Sequence, residues 1–290
     1  MRRSREASVQ IVLPIEIWGE ILSWLQGGDL FRCASICRAW CSAELVEKSV
    51  LYIDRETSTH LTGERLKKMC HMQHLELDGC HPRNYDAILS ALANLRALDL
   101  IYMACLDGSG LTALRKLGTL ILDNTALVAP ETLLQLPALH SLAVGCENRT
   151  IDAPLLQQMT NLTSLSLFIS PQLPGTVLTG LTNLKRLDLW KHPQYYFNGS
   201  LGENSLSNLT NLTSLLLDNI NTIMDKDLRP LCNLKSLSLD GTPFITTSGV
   251  CGLSSLTKLV VGRGVDIKPV FGDKIKFERR HLQRGQSLHD

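Results

Sequence analysis

The sequence predicts an α/β solenoid, in which short units stack to give a parallel sheet on one side and turns or short helices on the other. The chain has 290 residues, and a Leu-x-x-Leu-x-Leu pattern recurs through most of it with small apolar variations. The nine central leucines are Leu75, Leu98, Leu120, Leu142, Leu165, Leu187, Leu215, Leu237 and Leu259. Successive steps of 23, 22, 22, 23, 22, 28, 22 and 22 residues indicate a stacked array.

The strand of each unit is predicted from alternation of its side chains. Leu98 and Leu100 point to one face of a strand and Asp99 to the other, so the leucines form the core. One unit is too small to bury its own apolar face, which is why the units must stack. Leu51 and Ile53 suggest a degenerate tenth unit at the front.

The repeats resemble the leucine-rich repeat family, and the resemblance covers about residues 51 to 265. The phrases Leu181-Thr-Asn-Leu184 and Leu209-Thr-Asn-Leu212 are similar to its short, 22-residue subclass. The resemblance implies a curved horseshoe with the parallel sheet on the concave face. It also places Asn or Cys three residues beyond the last strand leucine, to bond the turn backbone. Here that column reads Cys80, Met103, Thr125, Glu147, Ser170, His192, Ile220, Thr242 and Gly264, so the polar ladder is largely lost.

The outward strand positions are predicted to form an acidic concave face. The 27 positions hold seven acidic and two basic side chains, a net charge of −5 in a chain of net charge +1. Such a face would steer a basic protein target toward it. The alternative is that exposed carboxylates only keep the sheet soluble. The acidic candidates for target binding are Glu76, Asp78, Asp99, Asp123, Asp188, Asp218 and Asp240.

The 28-residue step brings a group of aromatic residues into the array. Its candidates for target binding are Trp190, Tyr195 and Tyr196, and Phe197 follows them directly. Phe168, at an outward strand position, is a further aromatic candidate. Insertions in a solenoid map to loops, and exposed Trp and Tyr are common anchors of interfaces. The alternative is that these rings fill a gap that an irregular repeat leaves in the core.

Residues 11–43 have a helical pattern of their own. Pro14 suits a first helical turn, and Ile17, Ile21 and Leu25 follow at helical spacing until Gly27. Three short helices of this length cannot form a self-sufficient core, so the segment needs a partner or a neighbour.

This segment is similar to an F-box. The resemblance rests on Leu13-Pro14-x-Glu16-Ile17, Ile21-Leu22-Ser23-Trp24-Leu25, Asp29-Leu30 and Ile36-Cys37-Arg38-Ala39-Trp40. It implies a small three-helix module that docks on the Skp-family adaptor of a cullin-RING ubiquitin ligase. The implied adaptor contacts are Leu13, Pro14, Ile17, Ile21, Leu25, Leu30, Ile36, Cys37 and Trp40. Alternatively, these residues only cap the open end of the solenoid.

Other chemistry finds little support in the sequence. Cys33, Cys37 and Cys41 have helical spacing that fits packing. The group Cys70, His71, His74, Cys80 and His81 has zinc-ligand types but lacks paired Cys-x-x-Cys spacing. A phosphate loop, a RING-type zinc framework and a nucleophile elbow are all missing from the pattern, so neither catalytic residues nor a metal or cofactor are expected.

The predicted organisation has five parts: a flexible basic tail (1–10), the F-box (11–43), a connecting and capping segment (44–70), nine repeats (71–265) and a C-terminal cap and tail (266–290). Neither a signal peptide nor a membrane span is expected, and near-zero net charge argues against nucleic-acid or membrane partners. We expect the protein to act in eukaryotic cytoplasm or nucleus. The repeats are similar to ones common in bacterial proteins, which leaves open an effector that acts in host cytoplasm.

The sequence thus predicts a non-catalytic substrate-recognition subunit of an SCF-type cullin-RING E3 ubiquitin ligase. The F-box would bind the adaptor, and the repeats would bind the protein target. The alternative is a leucine-rich-repeat scaffold that sequesters a partner without ubiquitin transfer.

Overall fold

The sheet is the organising element of the fold. The computed structural model of the chain describes residues 50–53, 55, 72–80, 85–103, 106–125, 128–145, 151–168, 174–191, 201, 204–267 and 275–279. These residues form an open parallel sheet in which each strand pairs with the next along the chain. Its eleven strands are β1 Val50–Ile53, β2 His74–Asp78, β3 Ala97–Ile101, β4 Thr119–Asp123, β5 Ser141–Val144, β6 Ser164–Phe168, β7 Arg186–Trp190, β8 Ser214–Asp218, β9 Ser236–Asp240, β10 Lys258–Val261 and β11 Lys276–Arg279. The predicted solenoid, with this sheet on its concave face, is confirmed.

The core follows the predicted alternation. In β3, Leu98 and Leu100 are fully buried, whereas Asp99 between them is partly exposed. The register places Leu98 between Leu75 of β2 and Leu120 of β4. Equivalent leucines therefore stack in ladders that run through the whole array, and each unit buries apolar surface that it could not bury alone.

Short helical segments close the other side of the core. The α-helices are α1 Tyr85–Leu89, α2 Pro130–Leu134, α3 Ala153–Gln158, α4 Asp225–Leu228 and α5 Thr247–Cys251, and the 3-10 helices are η1 Ser109–Ala113 and η2 Gly175–Gly180. Asp152 caps α3 by accepting a hydrogen bond from the Leu155 amide at 2.9 Å, and Pro154 lies in the first turn. Among the described residues, none of the helices is both long and apolar enough to cross a membrane.

Two strands extend the sheet beyond the nine repeats. Strand β1 is the degenerate unit expected at Leu51 and Ile53. Strand β11 was not expected, since its segment was assigned to a C-terminal cap. There Phe277 packs against the core beside Leu259, and Lys276 takes an outward position next to Lys258. The strand escaped the sequence analysis because it carries none of the repeated leucines.

The turns that follow the strands are held first by residues of the turn column, where Cys80 keeps the family's residue type and Thr125 substitutes for it. Cys80 Sγ donates to the Ile53 carbonyl at 3.2 Å, and Thr125 Oγ1 donates to the Leu100 carbonyl at 3.1 Å. Where the column is apolar, as at Met103 and Ile220, the side chain is simply buried. The departure from the family pattern thus changes which groups hold the turns but leaves the strands in register.

A left-handed residue directly after the strand is the second device. Five residues in this position have φ values between +49° and +60°: Gly79, Tyr102, Asn124, Asn219 and Gly241. The conformation lets the Tyr102 amide donate to the Asp123 carbonyl at 2.9 Å and the Asn219 amide donate to the Asp240 carbonyl at 2.8 Å. Backbone bonding between neighbouring strands therefore continues past the strand ends.

Candidate protein-binding face

All seven acidic candidates lie on described strands. Each is partly exposed on the outward face of the sheet. Strand β11 adds Lys276 and Glu278 to the same face, one charge of each sign, so the net charge of the face stays at −5. Three outward residues were overlooked although alternation from Ile53 and Phe277 would have placed them: Tyr52, Lys276 and Glu278.

The first three strands hold a network of polar side chains. Tyr52 Oη donates to Asp78 Oδ2 at 3.1 Å, and His74 Nε2 lies 3.2 Å from Asp99 Oδ2. The hydrogen bond with Asp99 raises the pKa of His74, although burial opposes it. Glu76 lies opposite Asp99 in the register, and burial together with that negative charge raises the pKa of Glu76. The acids here are therefore partly satisfied by neighbours on adjacent strands.

The remaining carboxylates also have partners within the chain. Asp188 Oδ2 accepts from Arg186 Nε at 3.0 Å, and Asp240 Oδ1 accepts from the Arg263 amide at 2.8 Å. The carboxylates near the middle of the array accept from side-chain amides: Asp123 from Asn124 at 3.3 Å and Asp218 from Asn219 at 2.7 Å. These bonds fix the direction of the carboxylates and support the strand ends.

An aromatic pair interrupts the acidic face. The rings of Phe168 and Trp190 lie on adjacent strands, with centroids 4.9 Å apart and planes inclined by 77°, an edge-to-face contact. Both side chains are partly exposed. Tyr195 and Tyr196, the other two aromatic candidates, lie outside the described residues.

The suspected zinc ligands are not brought together by the described part of the chain. His74 is engaged with Asp99, and the thiol of buried Cys80 bonds a backbone carbonyl. The described ranges hold no group of three or more His, Cys, Asp or Glu side chains that could bind a metal ion. Cys70, His71 and His81 lie outside those ranges.

The predicted adaptor contacts, from Leu13 to Trp40, also lie outside the described residues. For this segment the comparison with known families is informative. Residues 11–45 match the family model described as F-box-like. No curated protein matches the chain significantly by sequence.

Solved structures similar to this chain are repeat proteins of diverse origin. An internalin, InlF of Listeria monocytogenes, has 19% identity and a TM-score of 0.51, over 76% of this chain and 70% of its own. A chain of the TLR13–ssRNA13 complex has 23% identity and a TM-score of 0.54, over 78% of this chain and 34% of its own. A chain of the yeast Rad7 and Elc1 complex has 16% identity and a TM-score of 0.51, over 90% of both chains.

At these identities the solved structures establish the fold alone. They agree with the repeats seen in the sequence and with the open parallel sheet of the structure. Taken with the match at residues 11–45, they identify this chain as one with an F-box-like domain followed by a leucine-rich-repeat solenoid.

Proposed function

We propose that this protein is the substrate-recognition subunit of an SCF-type cullin-RING E3 ubiquitin ligase. The observation that carries the proposal is the F-box-like match at residues 11–45, placed just ahead of a leucine-rich-repeat solenoid. In this proposal the F-box-like domain binds a Skp-family adaptor, and the concave face binds the protein target. The site of action is eukaryotic cytoplasm or nucleus, or host cytoplasm if the protein is a bacterial effector.

The proposed role requires no bond chemistry from this chain. A receptor that holds a target beside a charged ubiquitin carrier raises the effective concentration of the target's lysines, which accelerates transfer by proximity. A rigid solenoid suits this task because its stacked units fix the position of the bound target. The similar architecture in the Rad7 and Elc1 complex fits a protein of this shape that assembles with a second protein.

Adaptor binding is the first test. We expect the full chain to bind a purified Skp-family adaptor with micromolar or tighter affinity, as measured by calorimetry. The same substitution made inside and outside the F-box-like domain provides the control: Trp40→Ala should abolish binding, and Trp190→Ala should leave it unchanged. Replacement of Leu13 and Pro14 by Ala should also abolish it. Absence of adaptor binding, or equal loss in both Trp variants, would contradict the proposal.

Ubiquitin transfer is tested separately, once a target is known. A receptor shortens the half-life of its target in a proteasome-dependent way, whereas a scaffold that only sequesters the target does not. Trp40→Ala should restore the half-life, because it removes the link to the ligase and spares the solenoid face.

A further inference from the structure

The outward side chains nearest the carboxyl ends of the strands form a continuous row in the middle of the array. The register pairs Phe168 with Trp190, Trp190 with Asp218, and Asp218 with Asp240. Because adjacent strands lie about 4.8 Å apart, these four side chains are immediate neighbours. Two rings are therefore followed directly by two carboxylates.

A third carboxylate reaches the row from its other side. Gly145 follows β5, between the strands of Asp123 and Phe168, and a Cβ atom at Gly145 would overlap the Asp123 carboxylate. The space above Gly145 is thus occupied by Asp123, which leans across β5 toward the aromatic pair. The aromatic pair consequently has a carboxylate on each side. We call Asp123, Phe168, Trp190, Asp218 and Asp240 the aromatic row.

The chemistry of the aromatic row suits a cation. The faces of aromatic rings carry partial negative charge and attract Lys and Arg, with Trp as the best partner. The Asp123 and Asp218 carboxylates accept hydrogen bonds from the side-chain amides of Asn124 and Asn219, which orient them. At the far end, Arg263 Nε lies 3.7 Å from Asp240 Oδ1, so a guanidinium already fits beside one member of the row.

We propose that the aromatic row binds a basic segment of the protein target by stacking an arginine side chain on Trp190, beside Asp218. The inference rests on the proposed function in that the occupant is the target held by the solenoid face. Arginine fits better than lysine because its planar guanidinium stacks on a ring and presents a fork of donors to a carboxylate. The net charge of −5 on the face steers such a segment toward the row.

The test uses the full chain and a fluorescein-labelled nonapeptide with two arginines in a Gly/Ser background. Matched peptides carry two lysines or two glutamines at the same positions, and affinity is measured by fluorescence anisotropy at low ionic strength. We expect the arginine peptide to bind best and the glutamine peptide not to bind. Trp190→Leu should weaken binding of the arginine peptide roughly 2- to 30-fold, the range of a cation–π contact.

A second variant protects the test against misfolding of the first. Asp218→Asn removes one charge at constant shape and should also weaken binding by several-fold. The control is Glu131→Gln, which removes one charge from an exposed side chain of α2 on the opposite side of the solenoid. This control should bind the arginine peptide as the unaltered chain does.

Three results would overturn the inference: no binding of the arginine peptide, equal binding of the glutamine peptide, or affinity unchanged in both Trp190→Leu and Asp218→Asn. The last result would assign the rings to packing alone. Adaptor affinity is measured on the same samples. If the unaltered chain binds the adaptor but not the arginine peptide, only this inference is rejected. If it binds the arginine peptide but not the adaptor, the proposed function is rejected and the peptide result stands.

Discussion

Tyr102 illustrates how single residues set the backbone of this solenoid. It adopts φ +53°, a left-handed conformation that Asn124 and Asn219 adopt at equivalent positions and that Gly or Asn adopts at lower cost. The residue is 58% exposed. The conformation persists because the Tyr102 amide bonds the next strand, so the sheet fixes a backbone geometry that the residue itself disfavours.

The His74–Asp99 pair predicts a pH dependence of stability. Because the folded-state pKa of His74 is raised above 6.5, its contribution is fully present below pH 6.5 and is lost as the pH rises through the folded-state pKa. His74→Gln should therefore lower the urea midpoint at about pH 5.5 and have little effect at about pH 8.5. Urea unfolding at both pH values, followed by circular dichroism, measures the difference.

Asp99→Asn provides the control for this pair. In that background His74 has lost its charged partner, so a further His74→Gln change should give nearly the same midpoint shift at both pH values. Glu76 adds a contribution of the same sign in a lower window, since its pKa is raised from 4.5. An effect of His74→Gln that is larger at high pH would contradict the assignment.

At the scale of the repeat, the sequence predicted the strands well. Leu-x-Leu alternation located all nine repeated strands because a buried leucine ladder permits only one register. The segment of β11 was not recognised because Ile275 and Phe277, rather than repeated leucines, carry its contact with the core. The turns were also beyond prediction, since a left-handed residue such as Tyr102 depends on a bond to the next strand rather than on local sequence.

For the candidate site, the sequence predicted which side chains share a face but not how they contact one another. Alternation placed Asp123, Phe168, Trp190 and Asp218 on one face, and the structure shows them there. It did not reveal that Asp123 leans over Gly145, because that contact depends on the missing side chain of a glycine directly after the neighbouring strand.

Asparagines of the Thr-Asn-Leu phrases show what else the repeat unit encodes. The side-chain amides of Asn183 and Asn211 each donate to a backbone carbonyl of the preceding unit at 2.9 Å, and Asn233, in the related phrase Leu231-Cys-Asn-Leu234, does the same at 2.9 Å. The phrase was taken only as a mark of repeat subclass, but its Asn side chain joins neighbouring units outside the sheet. Each bond of this kind contributes on the order of 1 kcal/mol.

Two threonines of the turn column provide a matched pair for a stability test. Thr242 is fully buried, and its Oγ1 has no hydrogen-bond partner among the described residues, whereas Thr125 Oγ1 bonds the Leu100 carbonyl. Thr242→Val should raise the free energy of unfolding by about 1 kcal/mol because it removes an unsatisfied hydroxyl. Thr125→Val should lower it by about 1 kcal/mol because it removes a bond. Urea titration of both variants checks the signs, and destabilisation by both would contradict this account.

Over the whole molecule, the solenoid behaves as a one-dimensional stack. Each unit pairs only with the units before and after it, so the cost of a local defect falls mainly on its neighbours. Leu165 lies in the middle of the array and is fully buried. Its truncation to Ala should cost about 2–5 kcal/mol, the usual range for a buried leucine. Such a change alters the solenoid without altering residues 11–45.

Variants in the solenoid and in residues 11–45 together distinguish the two interpretations of the N-terminal segment, adaptor binding and capping of the solenoid. If residues 11–45 serve adaptor binding, Trp40→Ala should abolish adaptor affinity and leave the urea midpoint of the solenoid unchanged. Leu165→Ala should do the reverse: it should lower the midpoint and leave adaptor affinity unchanged. If they only cap the solenoid, Trp40→Ala should lower the midpoint, since an uncovered end exposes apolar surface. Calorimetry with the adaptor and urea unfolding of both variants separate these outcomes. We expect the first pattern, because residues 11–45 match an F-box-like domain.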